Sequence, residues 1–280
     1  ACICIGISVK VQQGKHMPVS GNGTVYDLYG SVYRPVITLV HGLGLTRATW
    51  DGHIPYLAEH YRVLNYDLYG HGDSAPPPRR PDLGLFAEQL AELLDEIGVA
   101  QSAVVGFSLG GMINRRFAMD YPTRAWALAI LNSPHERGAE AQKLVEERAA
   151  KSDEGGPGAT LDATIERWFT PDYIRDHDDV IAKIRSWVLA NDPAVYAQCR
   201  QVLAHGVLEL IRPAVPIRVP SLVMTCAHDS GSTPDMSYAI ASEIEGADTI
   251  IVPALQHMGL VEKPMLFAEP VRSFLDNQFE

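Results

Sequence analysis

Apolar positions fall in two rhythms along this chain. Near the start they alternate with polar ones, over Ile7 to Gln13 and again over Thr24 to Tyr29. Gly21 and Gly23 punctuate that stretch, so the spacing predicts a hairpin. From Val36 onward short unbroken apolar runs take over: Val36–Val40, Tyr61–Tyr66, Ser102–Phe107, Ala125–Leu131, Ser221–Cys226 and Thr249–Val252. Runs of this length suit strands buried on both faces. Helical spacing appears between them at Leu83–Ile97, Leu109–Tyr121, Pro234–Glu245 and about Pro264–Asn277. Strand–helix alternation predicts an α/β fold in which a mostly parallel, eight-stranded sheet is flanked by helices.

One stretch breaks the alternation. From Pro134 to Val215 there is no strand-like run, only amphipathic helical spacing around Ala139–Ala150, Leu161–Trp168, Val180–Ala190 and Pro193–His205. Ser152–Gly158, rich in glycine and acid, reads as a flexible loop within it. Uncommitted connections of this length are rare in compact domains. The expected organisation is therefore a core of residues 1–133 and 216–280, with 134–215 inserted as a helical cap.

Composition narrows the function classes. The formal net charge is -11 over 280 residues, a field that repels nucleic acid and anionic membrane. No run is long and apolar enough for a membrane-spanning helix, and the N-terminus lacks the basic start of a secretory signal. Four cysteines at this length are no disulfide framework, so a reducing compartment, the cytoplasm, is expected. Cys2 and Cys4 read as small apolar residues of a short strand, with no second pair nearby to complete a metal site. No phosphate loop, dinucleotide fingerprint or zinc-protease motif occurs, so no cofactor and no metal is expected. A small molecule is the expected partner, and self-association stays open.

The chemistry sits in Gly106-Phe-Ser108-Leu-Gly110-Gly111, which follows an apolar strand and opens a helix. A G-x-S-x-G elbow needs that context, because the serine must ride a tight turn and project above the sheet edge. A serine hydroxyl is a poor nucleophile without a base. His257, on a loop after the last strand, is the candidate base, and Asp229, just after Ser221–Cys226, the candidate carboxylate that orients it. His228 adjoins Asp229 but points away on an extended turn, and Asp248 lies at the wrong edge. Asn132 follows a strand where an acid could sit, yet carries no charge. An oxyanion hole needs two backbone donors: Leu109 N–H, and Leu43 N–H from the loop His41-Gly-Leu-Gly44. His41 itself reads as a buried organiser of that loop.

Taken together, His41–Gly44, Asp67–Ser74, Gly106–Gly111, the Asp229 turn and Gln256–Met258 resemble the α/β-hydrolase superfamily over nearly the whole chain. The resemblance implies the α/β-hydrolase fold and a structural role for Asp67–Ser74. Within it, Ile165–Thr170 and the segment from Asn191 to Cys199 are similar to 3-oxoadipate enol-lactonases, which open a small enol-lactone bearing a carboxylate. That implies a serine esterase or lactonase with Arg167 and Trp168 facing the substrate. The alternative is a solvated Arg167 and a Trp168 packed among helices. Arg148 and Arg175 are lesser candidates. Two other functions stay open: a hydrolase of carbon–carbon or amide bonds on the same triad, and a non-catalytic ligand-binding protein.

Overall fold

The computed structural model describes residues 18–278. The expected strand Ile7–Gln13 and both N-terminal cysteines lie outside them. Seven strands are present among the described residues: β1 (Tyr26–Tyr29), β2 (Val36–Val40), β3 (Arg62–Tyr66), β4 (Ser102–Phe107), β5 (Ala125–Leu131), β6 (Ser221–Cys226) and β7 (Asp248–Val252). They form one sheet in the order β1-β3-β2-β4-β5-β6-β7. β1 runs antiparallel to β3, and every other pairing is parallel. The expected eighth strand is the one outside the described residues. β4 and β6 are buried at every position, which is why they read as unbroken apolar runs.

Eleven α-helices accompany the strands among the described residues. α1 (Ile54–Leu57) and α2 (Leu83–Glu96) precede β4, and α3 (Leu109–Asp120) joins β4 to β5. α2 starts where the Asp82 carboxylate accepts the Leu85 N–H at 2.6 Å, capping an otherwise free donor. α9 (Pro234–Ser242), α10 (Gly259–Glu262) and α11 (Met265–Asp276) follow β6 and β7.

Between β5 and β6 stand only helices: α4 (Ala139–Gly155), α5 (Leu161–Trp168), α6 (Pro171–Asp176), α7 (Asp178–Leu189) and α8 (Pro193–His205), with two 3₁₀ turns. Their apolar faces meet through Ile165, Phe169, Ile184, Val188, Tyr196 and Val202, all buried. α6 was not read from the sequence. It is short, and Thr170 caps it by accepting the Tyr173 N–H. The expected flexible loop at Ser152–Gly158 is a correction. α4 runs on to Gly155, and Gly156–Thr160 forms a 3₁₀ turn. Ser152 is buried, Pro157 packs inward, and Gln201 of α8 donates to Asp153 at 2.8 Å, so contacts from α8 override the loop-like composition.

Candidate active site

The nucleophile elbow begins with a steric demand. α3 must leave β4 so closely that a Cβ on Gly106 would lie 2.1 Å from the Gly110 carbonyl oxygen, and one on Gly110 would lie 2.2 Å from the Val40 carbonyl oxygen. Ser108, caught between, adopts φ 57° and ψ −113°, a region that costs a non-glycine residue about 1–3 kcal/mol. Surrounding hydrogen bonds hold it there. Its N–H donates to Leu131 O at 2.8 Å, and its carbonyl accepts from Gly111 N–H and the Ser133 hydroxyl.

Three side chains meet at the C-terminal edge of the sheet. His257 Nε2 lies 3.1 Å from Ser108 Oγ, and His257 Nδ1 lies 2.6 Å from Asp229 Oδ2. A carboxylate only accepts, so Nδ1 carries the proton and Nε2 is left to accept from the serine. All three are buried. Asp229 is held at four points: Oδ1 accepts the N–H groups of Gly231 and Ser232, each at 2.9 Å, and Oδ2 accepts the Asn132 amide at 2.9 Å as well as His257. Burial alone would push the Asp229 carboxyl up. The His257 charge and the hydrogen bonds from His257, Asn132 and Ser232 outweigh it and hold the group below the usual carboxylate range. Asn132 therefore occupies the acid's alternative position and supports the acid instead. It sits at φ 46°, a left-handed conformation that asparagine tolerates better than most residues.

Neither Leu43 N–H nor Leu109 N–H has a hydrogen-bond acceptor among the described residues. Leu109 is the first residue of α3, where no intrahelical acceptor exists. Both residues are buried, so the structure leaves two N–H groups free beside the serine. His41 is fully buried with Nδ1 on Gly42 O at 2.8 Å and Nε2 accepting the Leu68 N–H at 3.0 Å. Burial lowers it to about 4, so it is a neutral strut of this loop. Asp67 binds the Arg47 guanidinium and backbone, which fixes the next turn. His228 and Asp248 are exposed, and neither is among the residues that line the space over Ser108.

The pocket over Ser108 is closed on its far side by the helices between β5 and β6. Arg167 and Trp168 both line it, so neither points away into solvent or a separate core. Trp168 is buried, its ring 6.1 Å from that of His257, and its indole N–H has no acceptor among the described residues. The Arg167 guanidinium lies over Gly231, where a Cβ would come within 2.7 Å of Nη1. Burial and the neighbouring Arg148 push Arg167 down to about 10, against an opposing pull from Asp229, so it stays cationic at neutral pH. Arg148 lines the pocket as well. Arg175 does not: it is exposed and paired with Asp172 and Asp176, each at 2.7 Å, a surface clamp that local acids dictate. Arg137 and Arg200 also line the pocket, and the sequence offered no periodic or motif signal for either.

The base loop is tied to this far wall. Met258 N–H donates to Trp168 O at 2.8 Å, and the Gln256 amide donates to Glu166 O and Arg167 O. These donors satisfy carbonyls at the C-terminus of α5 that have no intrahelical partner. The placement of His257 thus depends on α5 as well as on β7.

Among known proteins, a family model described as alpha/beta hydrolase fold matches residues 35–164. The chain is 28% identical to 3-oxoadipate enol-lactonase 2 of Acinetobacter baylyi, over 89% of this chain and 92% of that protein. It is 24% identical to (E)-2-((N-methylformamido)methylene)succinate hydrolase of the same organism, over 94% of this chain and 98% of that protein. Among solved structures, the enol-lactonase from Burkholderia xenovorans superposes with a TM-score of 0.83 at 29% identity, covering 90% of this chain and 96% of the other.

Proposed function

We propose that this chain, an α/β-hydrolase, is a serine hydrolase that cleaves the ester or enol-lactone of a small, carboxylate-bearing molecule through an acyl-enzyme. The observation that carries the reading is the relay of 3.1 and 2.6 Å from Ser108 through His257 to Asp229, set in a pocket lined by arginine. Ser108 Oγ attacks the carbonyl carbon while His257 Nε2 takes its proton. The carbonyl oxygen gains charge and is met by Leu43 and Leu109 N–H, each worth about 3 kcal/mol of transition-state stabilisation. His257 returns the proton to the leaving oxygen, which departs as an alcohol or, from an enol-lactone, stays tethered as an enol. Water, activated by the same histidine, then attacks the acyl carbon and frees Ser108. Residues 134–215 act as a cap that excludes bulk water and selects the substrate, with Arg167 holding the carboxylate by its planar fork.

Amide hydrolysis is a second reading, favoured by the similarity to a hydrolase named for a substrate with an N-methylformamido group. A non-catalytic binding role leaves the strained Ser108 and its relay without purpose. The test is a steady-state comparison of a neutral p-nitrophenyl ester, a carboxylated enol-lactone of equal acyl length and the matching amide. A kcat/KM orders of magnitude higher for the carboxylated lactone is expected. Preference for the neutral ester would make the chain a general carboxylesterase.

A further inference from the structure

The far wall of the pocket carries more positive charge than one carboxylate accounts for. Arg148 on α4, Arg167 on α5 and Arg200 on α8 all line the same space, beside Arg137, whose guanidinium is bound by the Leu203 and Ala204 carbonyls, and no aspartate or glutamate is among its lining residues. None of the three pairs with a carboxylate among the described residues. The carboxylate that acts on Arg167 is Asp229, already committed to His257 at 2.6 Å.

Arg200 is the informative one. It is 7% exposed, so its charge is taken out of water. Its Nη1 donates to the Tyr196 hydroxyl at 3.0 Å and its Nη2 to Thr160 Oγ1 at 3.4 Å, both neutral acceptors. The Tyr196 ring lies 5.9 Å from the guanidinium carbon and helps to fix it. The protein therefore positions a buried guanidinium and supplies no counter-charge. Burying a charge without a partner is expensive, so such an arrangement is explained by an anion that arrives with the ligand. Arg148 adds a second cation, pushed down by burial and then by Arg200, and its guanidinium pairs with no carboxylate among the described residues.

We infer that the substrate is a dianion: an ester or lactone whose acyl part carries two free carboxylates, one held by Arg167 and the other by Arg148 and Arg200. This rests on the hydrolase reading above and extends it from one anionic group to two. Arg167 lies over Gly231 next to the triad, Arg200 is anchored by Tyr196 of its own helix and by Thr160 at the start of α5, and Arg148 is close enough to act on Arg167 and to feel Arg200, so the three guanidiniums form one cationic cluster broad enough in reach to meet two carboxylates. A carboxylate that meets two charge-assisted hydrogen bonds should gain about ten- to a hundredfold in kcat/KM.

The experiment uses three mono-p-nitrophenyl esters on the full chain: butanoate with no free carboxylate, glutarate with one and tricarballylate with two. The expected result is a rise at each step, with tricarballylate over glutarate by about tenfold or more. In Arg200→Gln, and independently in Arg148→Gln should the buried variant fold poorly, the tricarballylate-to-glutarate ratio should fall to near one. In Arg167→Gln the glutarate-to-butanoate ratio should fall as well. Equal rates for the one- and two-carboxylate esters overturn the dianion proposal, as does a ratio that survives both Arg200→Gln and Arg148→Gln. Labelling of Ser108 by a fluorophosphonate separates the two levels. A labelled enzyme without the second step keeps the hydrolase and removes the dianion. An unlabelled serine with no turnover of any ester removes both.

Discussion

The two walls of the pocket are built on opposite principles. The sheet-side wall consists of Ser108, His257, Asp229 and the Leu43 and Leu109 N–H groups, fixed by turns and by hydrogen bonds of 2.6–3.1 Å. The helical wall consists of long cationic side chains, Arg148, Arg167 and Arg200, reaching in from three helices. In the first, backbone geometry decides the chemistry, and a residue can be replaced only at the expense of the turn beneath it. In the second, charge decides, and the helices only have to bring each side chain within reach. On the proposed function, reaction type belongs to one wall and substrate choice to the other.

The sharpest break of this comparison is Ser108→Ala. It should lower kcat by about 10⁴-fold or more, because a relay without its nucleophile leaves only binding and the oxyanion donors. Thermal stability should hold or rise slightly, since alanine removes no structural hydrogen bond of the Ser108 backbone. Activity of the variant on any ester at the parent rate would remove Ser108 from the mechanism.

Arg167→Gln should act through the other wall. The expected loss is about ten- to a hundredfold in kcat/KM for a carboxylated substrate, carried by KM, with a neutral ester much less affected. Gly231→Ala tests the same point without touching the charge. Its Cβ would collide with Arg167 Nη1, so it should mimic Arg167→Gln in kind. A fall in kcat alike for both substrates would show that Gly231 serves the Asp229 turn and not the arginine.

These walls were unequally legible in the sequence. The elbow could be read because a backbone constraint dictates residue types: only glycine fits at positions 106 and 110. Inner strands such as β4 and β6 could be read because burial on both faces leaves no room for polar alternation, and the half-buried β1 because its residues alternate. Arg167 and Trp168 were suggested by family resemblance alone, and Arg200 by nothing, since a long side chain reaches a pocket only once helices have packed. Arg175 looked equivalent in sequence and differs only because Asp172 and Asp176 flank it. Ser152–Gly158 failed for a related reason: a turn with the composition of a loop becomes ordered through contacts from elsewhere in the chain. Asn132 was noticed as an acid's vacant place, but its bond to Asp229 is a fact of the fold.

That bond gives a smaller prediction. Asn132→Gly removes the amide while keeping the left-handed backbone at φ 46°. Loss of one hydrogen bond to a charged group should cost about tenfold in kcat, with KM little changed. The Asp229 carboxyl should titrate at a higher pH by carboxyl-carbon NMR, because it loses part of what holds it below the usual carboxylate range. An unchanged Asp229 titration would make Asn132 a packing residue only. Asn132→Asp should raise it further, since a second carboxylate beside Asp229 disfavours ionisation of both.

The smallest effect concerns stability and separates the walls by pH. His41, on the oxyanion loop, His71, whose ring meets that of His41 at 5.4 Å, and His53, against Trp50, are all buried, and burial lowers them to about 4, 3 and 3 in the order His41, His71, His53. In the unfolded chain each titrates near 6.5. Above that pH neither state binds the proton and the melting temperature should be flat. As pH falls from about 6.5 toward 4, the unfolded chain takes up protons that the folded histidines refuse, so stability declines. A single such group contributes at most about 1.4 kcal/mol per pH unit, or about 2–4 °C in a domain approaching this size. Thermal melts at pH 7.5, 6.5, 5.5 and 4.5 measure the slope. In His41→Asn it should be shallower by about that amount, whereas in Arg148→Gln, on the helical wall, it should match the parent. A slope that Arg148→Gln alters as much as His41→Asn does would mean that acid loosens the helical wall first, and the division of labour between the two would fail.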